Sequence, residues 1–477
     1  MNLEKKMNIR KSDVIWNFVG TILSLSSNFI ILPFILYFLD SDTIGLWNVF
    51  LSIGAIVILF DFGFNPTLAR NIAYSWKGAK ELYKTDGVVS NSDQPNFFLM
   101  KKIITTTKNI YLLISSIALL FLLTLGTLYV ISISNTILTN HYVYAWIIYC
   151  LAVFMNLYYG YYTTFLRGVG AIRETNISVI LSRVIQITVT VCLLFFGFDI
   201  ISVAFGYLVY GFIFRYTSKK FFFHYKDIGK ELKNITSNFD FQEVKKTFSI
   251  IWHNAWRDGL VYLSLFLSSQ VSILIASTFL SLTETGIYSI TVQLATAVAA
   301  ISGSLYNVYQ PSMQFHFIRR NLNESKELMA ISMSVYIVLF ILGSLATYFI
   351  GLPLIYIIKS SILFDTSVFT LVFIYIFLLK HHSYYASFIS NTNKVPYVKS
   401  YLISSFFGVI LSVVFVLFLK LGVTGLIIGQ IISQAVYNNW KWPLTVYKQL
   451  DTNFVKMFKL GINNTIKTLK RITQSNR

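Results

Sequence analysis

Arg183, Arg257 and Lys380 are cations set inside long apolar stretches of a 477-residue chain. A charged side chain at mid-bilayer costs about 2.5–3.5 kcal/mol unless it is paired or wet. Each of the three lies on a polar stripe at helical spacing. Asn176, Arg183, Gln186 and Thr190 form the first stripe, His253, Arg257, Ser264 and Ser268 the second, and Lys380, Ser383, Ser387 and Asn391 the third. Two uncharged stripes join them: Asn17, Thr21, Ser24 and Asn28, then Gln293, Thr296, Ser304 and Asn307. Such stripes fit helices around a shared aqueous cavity, although polar helix–helix contacts in lipid produce the same pattern. Cations prevail in that cavity. Guanidinium groups bind phosphate oxygens bidentately, so the pocket suits a phosphate-bearing solute. Tyrosines and Asn/Ser groups suit carbohydrate. Asp61 and Asp258 are candidates for holding a coupling ion. For Asp61, an ion pair with Arg70 at the helix exit is an equal alternative.

Catalytic motifs are missing from the chain. It has no phosphate-cradling glycine loop ending in Lys-Ser/Thr, no paired-glycine dinucleotide fingerprint and no HExxH. His381 and His382 are adjacent and so do not share a helix face, which disfavours a metal site. The expectation is a non-enzyme without metal or cofactor.

The elements that must carry these residues follow from composition. Hydrophobic residues make up 55% and charged residues 12%, against about 25% charge in globular chains. Apolar runs of roughly 18–26 residues are long enough to cross a bilayer. They do not alternate in the manner of transmembrane strands, so a barrel is rejected. Twelve spans are expected near 14–39, 44–66, 103–133, 143–166, 175–197, 200–222, 249–280, 286–311, 329–352, 366–390, 398–419 and 422–446. Connections alternate between basic ones and short ones nearly free of Lys and Arg. Only Lys359 and Lys420 fall on the second side. By this bias both termini and the basic loops, including Arg167 and the stretch from Arg215 to Lys246, are cytoplasmic. The net charge of +19 is therefore a topology signal and not a nucleic-acid footprint. Cys150 and Cys192 both lie inside apolar runs, which disfavours a disulfide framework. The first apolar run is too long for a signal-peptide core and is expected to be retained.

The chain reads as an N-terminal six-helix lobe (1–222), a basic cytoplasmic linker (223–248), a C-terminal six-helix lobe (249–446) and a basic tail (447–477). In the tail, apolar residues at Phe454, Val455, Phe458, Ile462, Ile466 and Leu469 alternate with lysines. That spacing suits an amphipathic helix on the membrane surface, in contact with membrane lipids.

A hairpin motif occurs twice. Phe38-Leu39-Asp40-Ser41-Asp42-Thr43-Ile44-Gly45-Leu46-Trp47 corresponds to Phe279-Leu280-Ser281-Leu282-Thr283-Glu284-Thr285-Gly286-Ile287-Tyr288. Duplication in an apolar chain points to a transporter of two related halves with its site between them. The fold class expected is all-α integral membrane, with twelve transmembrane helices in two pseudo-twofold six-helix lobes around a central cavity.

Trp16-Asn17-Phe18-Val19-Gly20, Leu32-Pro33-Phe34-Ile35-Leu36-Tyr37, Gly45-Leu46-Trp47 and Asp61-Phe62-Gly63-Phe64-Asn65-Pro66 with Arg70 carry a family likeness. The stretch resembles the start of bacterial polysaccharide-unit flippases, the O-antigen and capsule-repeat translocases of the multidrug/oligosaccharidyl-lipid/polysaccharide exporter superfamily. The resemblance implies a polyprenyl (undecaprenyl) diphosphate-linked oligosaccharide moved from the cytoplasmic to the outer face of the plasma membrane by alternating access. A proton or sodium ion would drive it, or product removal by a polymerase with its chain-length proteins. Lipid II flippases of the superfamily carry an arginine and an acidic residue early in the first span. This chain has Trp16-Asn17 there, which argues against a cell-wall precursor as cargo. A multidrug or cation antiporter of the same superfamily is the first rival, and a membrane glycan polymerase the second.

Overall fold

The computed structural model describes residues 30–61, 63–82, 94–135, 137, 140–236, 239–318, 321–389 and 396–475. Its described residues form helices joined by short turns, with no strand among them. Nine of these helices are long and apolar enough to cross a membrane. Lipid offers no partner for backbone N–H and C=O groups, so a chain this apolar pairs them within helices. The contacts divide the chain into two units, Met1–Phe266 and Leu267–Arg477.

In the first unit, α1 covers 30–38, α2 Ser41–Phe60 and α3 Phe64–Trp76. Helix α4 spans Phe97–Phe121 and runs through a π turn, Leu122–Gly126, into α5, Thr127–Ile133. Helices α6 (His141–Tyr158) and α7 (Tyr161–Gly168) form one broken span. Helices α8 (Ile172–Phe195), α9 (Ile200–His224) and α10 (Ile228–Asn234) follow. Helix α11, Phe241–Ser269, crosses the boundary between the units.

In the second unit come α12 (Val271–Phe279), α13 (Leu282–Ser302) and α14 (Ser304–Ile318). Helix α15, Leu322–Ala346, passes through a second π turn, Thr347–Gly351, into α16, Leu352–Ile358. Then follow α17 (Thr366–Ile389), α18 (Val398–Leu417), α19 (Gly422–Ala435), α20 (Asn438–Gln449) and α21 (Phe454–Ser475).

The duplicated turn is visible in its caps. Asp40 Oδ1 accepts the Thr43 N–H at 2.6 Å at the start of α2. At the matching place before α13, Ser281 and Glu284 form a reciprocal capping box. Each cap satisfies N–H groups that the first helical turn leaves orphaned.

Two boundaries differ from the sequence reading. Residues 223–248 hold the end of α9, α10 and the start of α11, and Ile228 and Leu232 bury in the first unit's core beside Phe165, Phe222 and Ile251. Burial of these apolar side chains draws that stretch into the unit despite its charge. The span expected at 422–446 is broken after α19, and the Trp440 indole N–H takes up the Val436 carbonyl at 3.0 Å.

Candidate functional site

The first unit encloses a cavity of about 590 Å³. Its polar lining comes from the turn between α2 and α3 and from α3, α4, α6, α7, α8, α9 and α11. Asp61 sits in that turn and is 6% exposed. Gly63 makes the turn possible with φ 72°, a left-handed conformation that costs glycine little. The Asp61 carboxylate accepts from the Tyr111 hydroxyl on α4 and from Asn65 Nδ2 at 2.8 Å. Asn65 Oδ1 in turn accepts from the Thr164 hydroxyl on α7. One network thus ties three helices to the turn and supplies the buried carboxylate with donors.

Three arginines line the same cavity: Arg167, Arg183 and Arg215. Arg183 on α8 donates from Nη1 to Gln186 Oε1 at 2.9 Å. Its guanidinium carbon stands 4.1 Å from the centre of the Tyr210 ring, a cation–π contact. Its Nε is buried without a hydrogen-bond partner. Arg215 on α9 donates from Nε and Nη2 to the Asn156 carbonyl, each at 3.3 Å. The break between α6 and α7 makes that acceptor available, because Gly160 N–H bonds to Leu157 and leaves Asn156 outside the α-helical pattern. Arg215 lies over the Phe214 ring at 4.4 Å, and its Nη1 is buried without a partner. Arg167, in the last turn of α7, is exposed.

Aromatic rings form the remaining wall. Tyr149 and Tyr207 have ring centres 5.4 Å apart, and Tyr210 continues the row 6.3 Å beyond Tyr207. The guanidinium groups of Arg183 and Arg215, with the exposed Arg167 also on the lining, therefore share one cavity with one carboxylate, already held by Tyr111 and Asn65, against faces of tyrosine. In a low-dielectric site such an arrangement attracts an anion, and the ring faces accept flat, hydroxylated groups.

The residues singled out from sequence disperse differently. Arg183 and Asp61 meet in the cavity, with Gln186 bonded to Arg183 behind it. Arg70 is exposed on α3 and donates to Thr67 Oγ1 at 3.3 Å, while the bonds of Asp61 run to Tyr111 and Asn65. Lys380 is half-buried on α17, Gln293 half-buried on α13 and Asn307 exposed on α14, all in the second unit. Asn17 and Asn28 lie outside the described residues, as do the side chains of Arg257 and Asp258 on α11.

The sequence reading missed Arg167, Arg215 and Asn156. By the Lys/Arg bias Arg167 and Arg215 fall among the cytoplasmic loop charges. For Arg215 the signal was present: it falls inside the apolar run from Ile200, one helical turn beyond Gly211.

No curated protein matches the chain by sequence. Solved structures do match its fold. An inward-facing multidrug resistance MATE family transporter of the MOP superfamily superposes with a TM-score of 0.61 at 14% identity, over 92% of this chain and 98% of its own. The inward closed conformation of the lipid II flippase MurJ superposes with a TM-score of 0.60 at 13% identity, over 96% of this chain and 91% of its own. A MOP superfamily transporter from Pyrococcus furiosus, described by the reversed polarity of its binding pocket, gives 0.52 at 12% identity over 93% and 97%. The fold is that of these all-α, two-lobe membrane transporters. A sequence profile described as polysaccharide biosynthesis protein matches residues 11–314, well over half of the chain. With that match over well over half of its length, the chain belongs to the polysaccharide biosynthesis protein family.

Proposed function

We propose that the protein is a flippase that carries a polyprenyl-diphosphate-linked oligosaccharide repeat unit from the cytoplasmic to the outer face of a bacterial plasma membrane, for O-antigen, capsule or exopolysaccharide assembly. The observation that carries this reading is the first unit's cavity, where Arg183 and Arg215 each keep a buried N–H without a partner among tyrosine rings. A diphosphate supplies the missing acceptors, and sugar rings fit the aromatic faces. A sugar chain does not cross hydrocarbon unaided, since each unpartnered hydroxyl costs kilocalories. The head group passes through the wet site while the prenyl tail stays in lipid. Alternating access then exposes the site to each face in turn.

Asp61 is the group for a coupling proton or sodium ion, held between Tyr111 and Asn65. Asn17, Asn28, Arg257, Lys380, Gln293 and Asn307 remain proposed cargo contacts from the other helices, and Asp258 and Arg70 proposed gating groups. Both termini lie on the cytoplasmic side by the charge bias. A polymerase and chain-length proteins would take the product.

The test is to count lipid-linked oligosaccharide in each leaflet of a deletion strain. Units retained on the inner leaflet support the flippase. Single units displayed outside would mean a polymerase. The buried carboxylate Asp61 favours one further reading, a multidrug or cation antiporter. The three arginines that line the same cavity weigh against cationic cargo, and drug-resistance assays on the same strain decide.

A further inference from the structure

Helix α21 stands apart from the rest of the second unit in its chemistry. From Thr452 to Arg477 the chain has no acidic residue and six basic ones. At about 100° per residue, its side chains fall into three arcs. The first arc is a seat. Gly461 packs so closely on α15 that a Cβ there would stand 2.1 Å from the Ala330 carbonyl oxygen. Ser334 Oγ donates to the Phe458 carbonyl at 3.1 Å, and the Tyr385 hydroxyl reaches Met457 Sδ at 3.8 Å. The second arc is apolar and open: Val455 and Ile466 are 57% and 46% exposed, and Phe454, one heptad before Gly461 at the start of the helix, is 50% exposed. The third holds Lys456, Lys459 and Lys467, all exposed.

We propose that α21 is a lipid-binding surface helix: clamped to α15 through Gly461, it buries Phe454, Val455 and Ile466 in the bilayer interface and holds anionic lipid head groups on Lys456, Lys459 and Lys467. Charge complementarity selects the occupant, because a basic arc free of acidic residues beside an apolar one matches an anionic membrane surface. An acidic peptide would answer the lysines but leave the apolar arc in water. The lysine stems reach along the interface while their ammonium groups stay at phosphate level. The inference rests on the membrane-spanning fold and not on the identity of the cargo.

The experiment uses the full chain with Cys192→Ser and Val455→Cys carrying an environment-sensitive fluorophore. The protein is reconstituted in phosphatidylcholine vesicles with and without phosphatidylglycerol. Emission is expected to shift to the blue only with phosphatidylglycerol present, and to return at high salt. In native mass spectrometry, the preference for retained phosphatidylglycerol over phosphatidylcholine should fall about a hundredfold in the Lys456→Gln/Lys459→Gln/Lys467→Gln variant. These lysines are exposed, so the variant should keep the melting temperature of the parent. Equal emission in both vesicles, or an unchanged preference in the triple variant, overturns the proposal. So does a blue shift that appears only in native membranes rich in other proteins, which would assign the helix to a protein partner.

Discussion

Helices α4–α5 and α15–α16 are two versions of one element. Each pair spans 37 residues, and in each a 25-residue α-helix passes into a five-residue π turn. Tyr111 and Tyr336 hold the same place in them, and both are fully buried. Their partners differ. Tyr111 donates to the Asp61 carboxylate, whereas Tyr336 donates to the Phe377 carbonyl at 3.0 Å. Around Tyr111 the first unit opens a cavity with arginines on its wall. Around Tyr336 the second unit packs rings, with Phe377 5.5 Å and Tyr384 5.2 Å away. The backbone geometry matches in the two, while among the described residues the side chains line a cavity beside Tyr111 and pack rings around Tyr336.

The π turns tell the reverse story. In the first unit Trp146 fills the space beside the turn: it packs against Gly126 and its indole N–H donates to Thr127 Oγ1 at 3.0 Å. The residue equally far into α17 is Leu371, and an apolar groove of about 540 Å³ remains between α15 and α17, lined by Phe340, Phe369, Phe373 and Phe377. π turns recur where a helix must make room for function.

Three sets of substitutions probe this contrast, beginning with the strongest. Trp146→Ala removes a buried indole with a satisfied N–H and should destabilise by about 3–5 kcal/mol. Leu371→Ala, at the corresponding position of α17 and half-buried, should cost about 1 kcal/mol. Thermal unfolding in detergent measures both, and equal losses would erase the distinction between filled and open turns.

Next, Arg215→Gln and Arg183→Gln should each lower cargo translocation about tenfold to a hundredfold, the size of a lost charge-assisted bond. Lys380→Gln in the second unit should lower it less than about threefold. Surface polysaccharide at matched protein level is the readout. An equal loss at Lys380 would show that the cationic function is shared by both units.

The smallest effect separates the two tyrosines. Tyr111→Phe leaves Asp61 without one donor and should reduce transport about tenfold while changing its dependence on pH or sodium. Tyr336→Phe should cost about 1 kcal/mol of stability and leave that dependence alone. A transport defect of the same kind in both variants would break the assignment of Asp61 to the first unit's chemistry.

Much of this was legible in the residues. Long apolar runs specify membrane helices because lipid leaves the backbone no other partner. Asp40 and Ser281 mark helix starts because a short oxygen-bearing side chain satisfies the first-turn N–H groups. Arg183 was found by its stripe. Arg215 was read as loop charge, since a bias in Lys and Arg reports the side of the membrane but not the depth of a given residue. Its depth follows from α9 continuing to His224 and from the carbonyl that the broken α6 offers at Asn156.

Asp61 makes the same point. Its neighbour in sequence, Arg70, was a reasonable partner, yet the bond goes to Tyr111, fifty residues away. The tail's amphipathic spacing was plain, but its seat on Ala330 through Gly461 was not. Hydrophobicity, helical period and capping are properties of a local stretch, so the amino-acid sequence alone determined the helical kind of the spans and the capped starts of α2 and α13. Which polar groups meet depends on how helices distant in the chain pack and where they break. Only the tertiary structure decided that one half holds the charged cavity.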